Sequence, residues 1–377
     1  MKQILDNLKI NPIFCLSLAA KELFHSNFLE WLFNKDAGKF IAMVDDLAGT
    51  GLAGNNPQGG YHIYREKNSF DICITHKEKS KQGKEKEVYD LVLENKVKSI
   101  PYKEQLNRYV DDIKKAKQEN VMFILLSLAN NFPQKEEIER EGKWKIINYD
   151  TLREKIESHY GNSNIYINDY CKFIECLHKL QEIALKNEDE HIFARAEELK
   201  PYRLHDMYIK QRCSSFMQKL YNSITQQSTD FKNIPVYLLD KYEDVRKQKG
   251  IYLQSTMNRG NGTVNIFINS GEGDNDYVYE IVIQGGQYRH GINSLLYNNN
   301  LNIMWKNIKD NSFINDFNES NKFYSRYRLS KAECRNDFNH YGQGYIYRYL
   351  KTDGLSFKDL FDLTLNDVKQ FIQKKYN

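Results

Sequence analysis

The stretch Val88-Tyr89-Asp90-Leu91-Val92-Leu93-Glu94-Asn95-Lys96-Val97 decides how the N-terminal half of this chain is read. It suits a strand, and in a strand alternate side chains share a face, so Glu94 and Lys96 point the same way. A carboxylate and an ammonium ending an otherwise apolar strand are costly to bury unless they pair or bind something. A second acid, Asp71, stands on an earlier strand-like run, Phe70-Asp71-Ile72-Cys73-Ile74. It lies 23 positions before Glu94, room for a strand, a hairpin tip and a return strand. The two acids can therefore meet at one end of adjacent strands. Together with the lysine they can hold a divalent cation beside a phosphodiester, the minimal set for metal-assisted hydrolysis. Asp90 shares the face of Glu94 but lies about 13 Å away at the rise of a strand, too far to share one ion.

Working outward, residues 3–35 read as one or two helices, with Phe24, Phe28, Leu29, Leu32 and Phe33 at helical spacing. Residues 39–47 resume a helical pattern, and the Gly- and Asn-rich segment 48–60 reads as a loop. Strands are expected at about 61–67, 70–76 and 88–97, with the charged run 77–87 as an exposed hairpin tip. Pro101 is expected to open a helix whose apolar face carries Leu106, Tyr109, Val110 and Ile113. Val121 to Leu128 is continuously apolar, as a strand buried on both faces and reached by a helical crossover would be, hence parallel to its neighbour. A short strand at 145–149 follows, then helices from about 150 and over 167–187.

This α-β-β-β-α-β order, with Asp71 on the second strand and Glu94-x-Lys96 on the third, resembles the PD-(D/E)XK nuclease superfamily. Three further features are similar to a bacterial branch of it: Glu22-Leu-Phe-His25-Ser26-Asn-Phe-Leu29-Glu-Trp31-Leu32 in the first helix, Arg65-Glu66 before the Asp71 strand, and Gln105-Leu106-x-x-Tyr109 after the lysine. They cover roughly residues 15–150. The resemblance implies an α/β restriction-endonuclease-like core, αβββαβ, with a mixed sheet flanked by helices. It implies Asp71 and Glu94 as carboxylates holding Mg²⁺ or Mn²⁺, with the main-chain carbonyl of Asn95 as a further ligand. Lys96 would orient or activate the attacking water, Glu22 would serve as an auxiliary acid on the metal directly or through water, and Gln105 would close the rim. One departure is visible: Phe70 stands where the family pattern has a proline. His25 reads as a structural helix residue hydrogen-bonded near the site, and Ser26 as a packing or capping group. Arg65 and Glu66 either line the site or pair with each other at the strand start.

The chain has 377 residues, too many for one typical core, so two domains are expected: 1–190, and a C-terminal α+β domain over 191–377 joined through the charged span 187–191. In that half, residues 192–227 look helical, 236–240, 251–257, 263–269 and 277–287 look like strands, and 292–320 and 330–375 look mostly helical. Gly285-Gly286 lacks the spacing of a phosphate-binding fingerprint. Two runs interleave tyrosine with arginine, Tyr324-Ser-Arg326-Tyr327-Arg328 and Tyr345-Ile-Tyr347-Arg348-Tyr349. Such runs can stack bases and neutralise phosphates, but in a chain with 26 tyrosines they equally suit amphipathic core edges, the reading preferred here.

Net charge is only +4, too balanced for a histone-like binder, so contacts with nucleic acid must come from local patches. The six cysteines form no CxxC pair and no zinc-finger spacing. No stretch is long and apolar enough to span a bilayer, and the N-terminus lacks a signal-peptide core. The expectation is a cytoplasmic DNA nuclease of defence or repair, with RNA a weaker substrate candidate and a homodimer left open. The rival is a non-catalytic nucleic-acid-binding or assembly protein that keeps the fold.

Overall fold

The computed structural model describes residues 1–377 apart from 18–21, 56, 80–83, 130–131, 133, 162–163, 228–230, 232, 240–244, 246–247, 259–260, 270–277, 294–338, 342–344 and 377. It divides into two compact units, residues 1–186 with 197–211, and residues 187–196 with 212–377.

The first unit opens with helices α1 (Lys2–Ile10), α2 (Pro12–Leu16), α3 (Glu22–Lys35) and α4 (Ala37–Ala48). Asp36 caps α4 by accepting a hydrogen bond from the Lys39 N–H. Three antiparallel strands follow, β1 (His62–Lys67), β2 (Phe70–Lys79) and β3 (Glu85–Lys96). Helix α5 (Lys103–Lys115) then crosses to β4 (Met122–Ser127), which pairs parallel to β3. Helix α6 (Lys135–Glu141) leads to β5 (Trp144–Asn148), parallel to β4, and the chain closes over with α7 (Tyr149–Tyr160) and α8 (Ile165–Lys186). The result is a mixed sheet in the order β1-β2-β3-β4-β5.

Each face of this sheet has its own apolar layer. Ile72, Ile74, Leu91, Leu93, Ile124 and Leu126 pack under α3, α4, α7 and α8. Cys73, Val92, Phe123 and Leu125 pack under α5 and α6. Burial on both sides explains why β3 and β4 read as nearly continuous apolar runs rather than alternating ones.

Two expectations need correction here. Residues 77–79 and 85–87 are not a hairpin tip but paired strand. Their charges obscure the strand in the sequence, yet they are matched across it, with Lys77 on Glu85 at 3.1 Å and Lys67 on Glu87 at 2.5 Å. Pro101 does not start α5; the helix begins at Lys103, with Tyr102 as its extended N-terminal flank.

The expected helix over 192–227, of which residues 197–211 belong to the first unit, is broken. A short helix α9 (Ala196–Leu199) and a 3-10 turn containing Pro201 precede α10 (His205–Gln226), and Arg203 between them is left-handed. The second unit's sheet runs β11-β12-β10-β9-β8-β7-β6, from β6 (Val236–Leu238), β7 (Gly250–Asn258), β8 (Asn261–Asn269), β9 (Val278–Gln284), β10 (Gln287–Asn293), β11 (Asn339–Tyr341) and β12 (Tyr345–Lys351). All neighbours are antiparallel except β6 with β7.

Gly285 and Gly286, both at positive φ, form the two-residue turn of the β9–β10 hairpin, where strand twist favours such residues. Residues 345–351, expected as helix, are strand: alternation of tyrosine with other residues at a period of two outweighs the helical spacing. The terminal helix α11 (Phe357–Tyr376) packs on one sheet face through Phe371 on Tyr279, with Tyr288 Oη donating to Asp367 at 2.8 Å. The expected helix over 294–320 and the run 324–328 lie outside the described residues.

Candidate active site

Strand alternation divides the end of β3 between two environments. Val92, Glu94 and Lys96 face α5, while Leu91, Leu93, Asn95 and Val97 face the opposite helices. Ile72 and Leu93 are register partners in the antiparallel β2–β3 pair, so Asp71 and Glu94 are the next positions along. The structure brings the two acids together, and the Asn95 backbone N–H donates to Asp71 Oδ2 at 2.7 Å.

Glu94 is the centre of the cluster. Lys96 Nζ donates to its Oε1 at 2.5 Å, and Gln105 Nε2 donates to the same oxygen at 2.8 Å. That amide also lies 2.8 Å from the hydroxyl of Tyr109, one helical turn on. The register of α5 is set by its packing: Trp144 Nε1 donates to the Leu106 carbonyl, and the Tyr109 ring meets Phe70 edge-on at 5.2 Å. Glu94 is 2 % exposed and Lys96 8 %, so the charges interact with little screening by water.

Burial pushes the Glu94 carboxyl up to about 7; the Lys96 ammonium opposes the shift and the Asp71 charge adds to it. Asp71 is also raised, first by burial, against the pull of the Asn95 N–H and of Lys96. For Lys96 burial works against the charge, but attraction to Glu94, Glu22 and Asp71 outweighs it and its pKa rises. Lys96 is therefore an ammonium at neutral pH, a fixed cation rather than a base.

The opposite face is neutral. Asn95 Nδ2 donates to Ser26 Oγ at 2.6 Å and the Tyr149 hydroxyl donates to Asn95 Oδ1 at 3.0 Å, so the side chain is held from α3 and α7 at once. His25, fully buried among Phe24, Tyr149, Tyr170 and Phe173, has Nδ1 2.9 Å from the Tyr170 hydroxyl. Burial lowers it to about 3, so the ring is neutral and structural.

The remaining residues singled out in the sequence are placed as follows. Glu22 Oε1 accepts the backbone N–H groups of Val97 and Ser99, at 3.2 and 3.1 Å, and so anchors the turn leaving β3. Arg65 binds Glu30 and Asn27 of α3. Glu66 is exposed at the strand end with a left-handed φ. Asp90 lies 2.8 Å from His76 Nδ1, away from the cluster. Sequence reasoning missed Tyr149 and Ser99. Nothing in the spacing marks Tyr149, which meets Asn95 only because β5 is two strands away in the sheet and α7 folds back; Ser99 is marked only by following the Glu-x-Lys strand.

Among the described residues no group of three or more His, Cys, Asp or Glu is arranged to hold a metal. Asp71 and Glu94 converge directly, while Glu22, near enough for its charge to act on Asp71 and Lys96, has Oε1 on the backbone amides of Val97 and Ser99. The two converging acids still fit a hard divalent cation, which takes a few carboxylates and fills its shell with carbonyl, water and substrate oxygens. Glu94 Oε2 is buried without a hydrogen-bond partner, an orphan acceptor that a cation would satisfy.

Residues 11–172 match the family model of the PD-(D/E)XK nuclease superfamily. This part of the chain belongs to that superfamily. The matched span contains α3, all five strands and the acid–acid–lysine cluster, so the PD-(D/E)XK unit and the geometric site coincide. No curated protein and no solved structure matches the chain significantly. Among the described residues no helix is long and apolar enough to cross a membrane.

Proposed function

We propose that the protein is a metal-dependent nuclease that hydrolyses DNA phosphodiester bonds, with Asp71, Glu94 and Lys96 as its catalytic set. The observation that carries this reading is the convergence of two carboxylates and one ammonium, with Gln105 and Tyr109 closing over them, inside a unit of a nuclease superfamily.

Asp71 and Glu94, with the Asn95 carbonyl, are the groups that would hold Mg²⁺ or Mn²⁺. Bound there, the ion would supply Lewis-acid polarisation of the phosphodiester and a water made acidic enough to act as nucleophile. The chain's own groups do the rest. Lys96 carries a positive charge to where the phosphate gains negative charge, a contribution that a dry site magnifies. Its raised pKa favours charge stabilisation and water orientation over proton abstraction. Gln105 orients Glu94 through one hydrogen bond and so limits the directions its free oxygen can take. Glu22 acts at one remove, by holding the backbone at Val97 and Ser99 and with it the end of β3. The setting this reading implies is the cytoplasm of a bacterium, in defence against foreign DNA or in repair.

The test is cleavage of plasmid, single-stranded DNA and labelled RNA in Mg²⁺ or Mn²⁺ by wild type, Asp71→Ala and Lys96→Ala. Metal-dependent cleavage of DNA lost in both variants supports the proposal. Equal activity in all three, or none under any metal, would favour a binding or assembly protein that keeps the fold. Preference for RNA would move the substrate.

A further inference from the structure

We propose that His76 and Asp90 are positioning residues for cleavage, pinning a β-bulge that brings Asp71 into line with Glu94. The inference rests on the nuclease reading of that acid pair, and the experiment below separates the two.

Two registers meet within the β2–β3 hairpin. In its outer arms each register pair joins opposite charges: Lys77 with Glu87, Glu78 with Lys86 and Lys79 with Glu85. A slip of one residue in either direction would set lysine against lysine and glutamate against glutamate, so charge holds this register. Continued without interruption, it would set Ile74 against Asp90 and Asp71 against Leu93. The observed pairs are instead Ile74 with Leu91 and Ile72 with Leu93, which makes Asp71 and Glu94 the next positions along. A one-residue offset would also turn Glu94 and Lys96 away from α5, because it exchanges the faces of the strand.

One residue reconciles the two registers. Thr75 pairs with Tyr89 and Ile74 with Leu91, so Asp90 is the extra residue of a bulge. Its Oδ2 lies 2.8 Å from His76 Nδ1 on the facing strand, and both side chains are mostly buried. His76 Nε2 lies 3.4 Å from Glu78 Oε1, and the Tyr61 ring meets the imidazole edge-on with centres 6.4 Å apart. Burial works against a charged imidazole here, but the Asp90 carboxylate and then Glu78 outweigh it, so the His76 pKa is raised. The pair ties β2 to β3 at the bulge itself. Held there, the irregularity lies about 13 Å from Glu94 at the rise of a strand and leaves the acids on a regular ladder. Carried along β3 to Val92 or Leu93, it would fall on the acids.

The experiment measures kcat and KM for Mn²⁺-dependent DNA cleavage by the full chain. The proteins are wild type, His76→Ala, Asp90→Ala, a deletion of Asp90, and His76→Ala combined with that deletion. Each alanine variant is expected to lose about 10- to 100-fold in kcat with KM little changed, as a small misplacement of catalytic groups does. The deletion is expected to keep the wild-type kcat. Without residue 90, Thr75–Tyr89 and Ile74–Leu91 become successive pairs of one regular ladder, with the acids still in line. For the same reason the deletion is expected to restore activity to His76→Ala. A side chain needed for chemistry or for packing would not be rescued by removing its whole residue.

A second readout needs no cleavage. Cys73 is the register partner of Val92, so Val92→Cys creates a cross-strand thiol pair within reach of a disulfide. Its oxidation in EDTA, located by peptide mass spectrometry, is expected to link Cys73 to position 92, with or without residue 90. Adding Asp90→Ala is expected to deplete that link. Wild-type kcat in both alanine variants, a link unaffected by Asp90→Ala, or a deletion variant that is inactive or unfolded overturns the proposal. If the alanine variants fail to fold, the deletion decides alone: full activity supports the proposal and its loss overturns it. Absence of cleavage by wild type under any metal would overturn the nuclease reading, while the link would still decide whether His76 and Asp90 pin the bulge.

Discussion

The two faces of the end of strand β3 differ in charge. On one face Glu94 and Lys96, with Asp71 across the register, concentrate charge under α5. On the other, a single position away, Asn95 is held by Ser26 and Tyr149 through neutral hydrogen bonds. The charged face carries two carboxyls whose pKa values burial raises, the pattern of a candidate functional site. The neutral face satisfies both ends of its amide. The contrast teaches that one residue can serve both faces: Asn95 gives its backbone N–H to Asp71 and its side chain to Ser26 and Tyr149.

The largest expected effect comes from the charged face. Asp71→Ala or Lys96→Ala should reduce metal-dependent cleavage on the order of 10²- to 10³-fold with circular dichroism close to wild type. If either variant cleaves normally, the contrast between the faces has no chemical meaning. Next comes the neutral face. Tyr149→Phe leaves Asn95 Oδ1 without its buried donor and should cost about 1–3 kcal/mol of stability, measured by urea unfolding, with a far smaller loss of cleavage. A variant that loses activity while keeping its stability would place Tyr149 in the chemistry instead.

His25 sharpens the comparison through pH. Its folded pKa of about 3 lies below the ordinary 6.5, so between these values the unfolded chain takes up a proton that the fold refuses. Its contribution is fully present above about pH 6.5 and is lost as pH falls towards 3. His25→Gln should therefore flatten the acid limb of the stability curve over that window, in denaturant titrations at stepped pH. An unchanged limb would mean that the neutral face is not what makes the fold sensitive to acid. The smallest effect is expected at Gln105, where Gln105→Ala removes one hydrogen bond from Glu94 and should lower cleavage by about 2- to 10-fold. A loss as deep as that of Lys96→Ala would make Gln105 part of the catalytic set.

Legibility followed the range of the interactions. The strands at 70–76, 88–97 and 121–128 were readable because each is a local apolar pattern, and the parallel placement of β4 followed from its burial on both faces. The hairpin arms at 77–79 and 85–87 were not, since their residues are charged and pairing across the ladder leaves no mark in hydropathy along the chain. Residues 345–351 were misread for a related reason: a run of tyrosines suits either a helix edge or a strand, and pairing with β10 selects between them. At the site, Asp71, Glu94, Lys96 and Gln105 were legible as a motif. The commitment of Glu22 to Val97 and Ser99, and the contact of Asp90 with His76, depend on where side chains a few ångströms apart find donors.

By itself the sequence determined which residues alternate on β3, and therefore that an acid and a lysine share a side while an asparagine takes the other. That is a consequence of backbone geometry and needs no partner. Only the tertiary structure decided what each side meets. Register with β2 supplies the second acid, a crossover helix supplies Gln105 and Tyr109, and α3 and α7 supply the groups that pin Asn95. Burial then sets the ionisation, because desolvation and charge–charge energies exist only once those elements have excluded water.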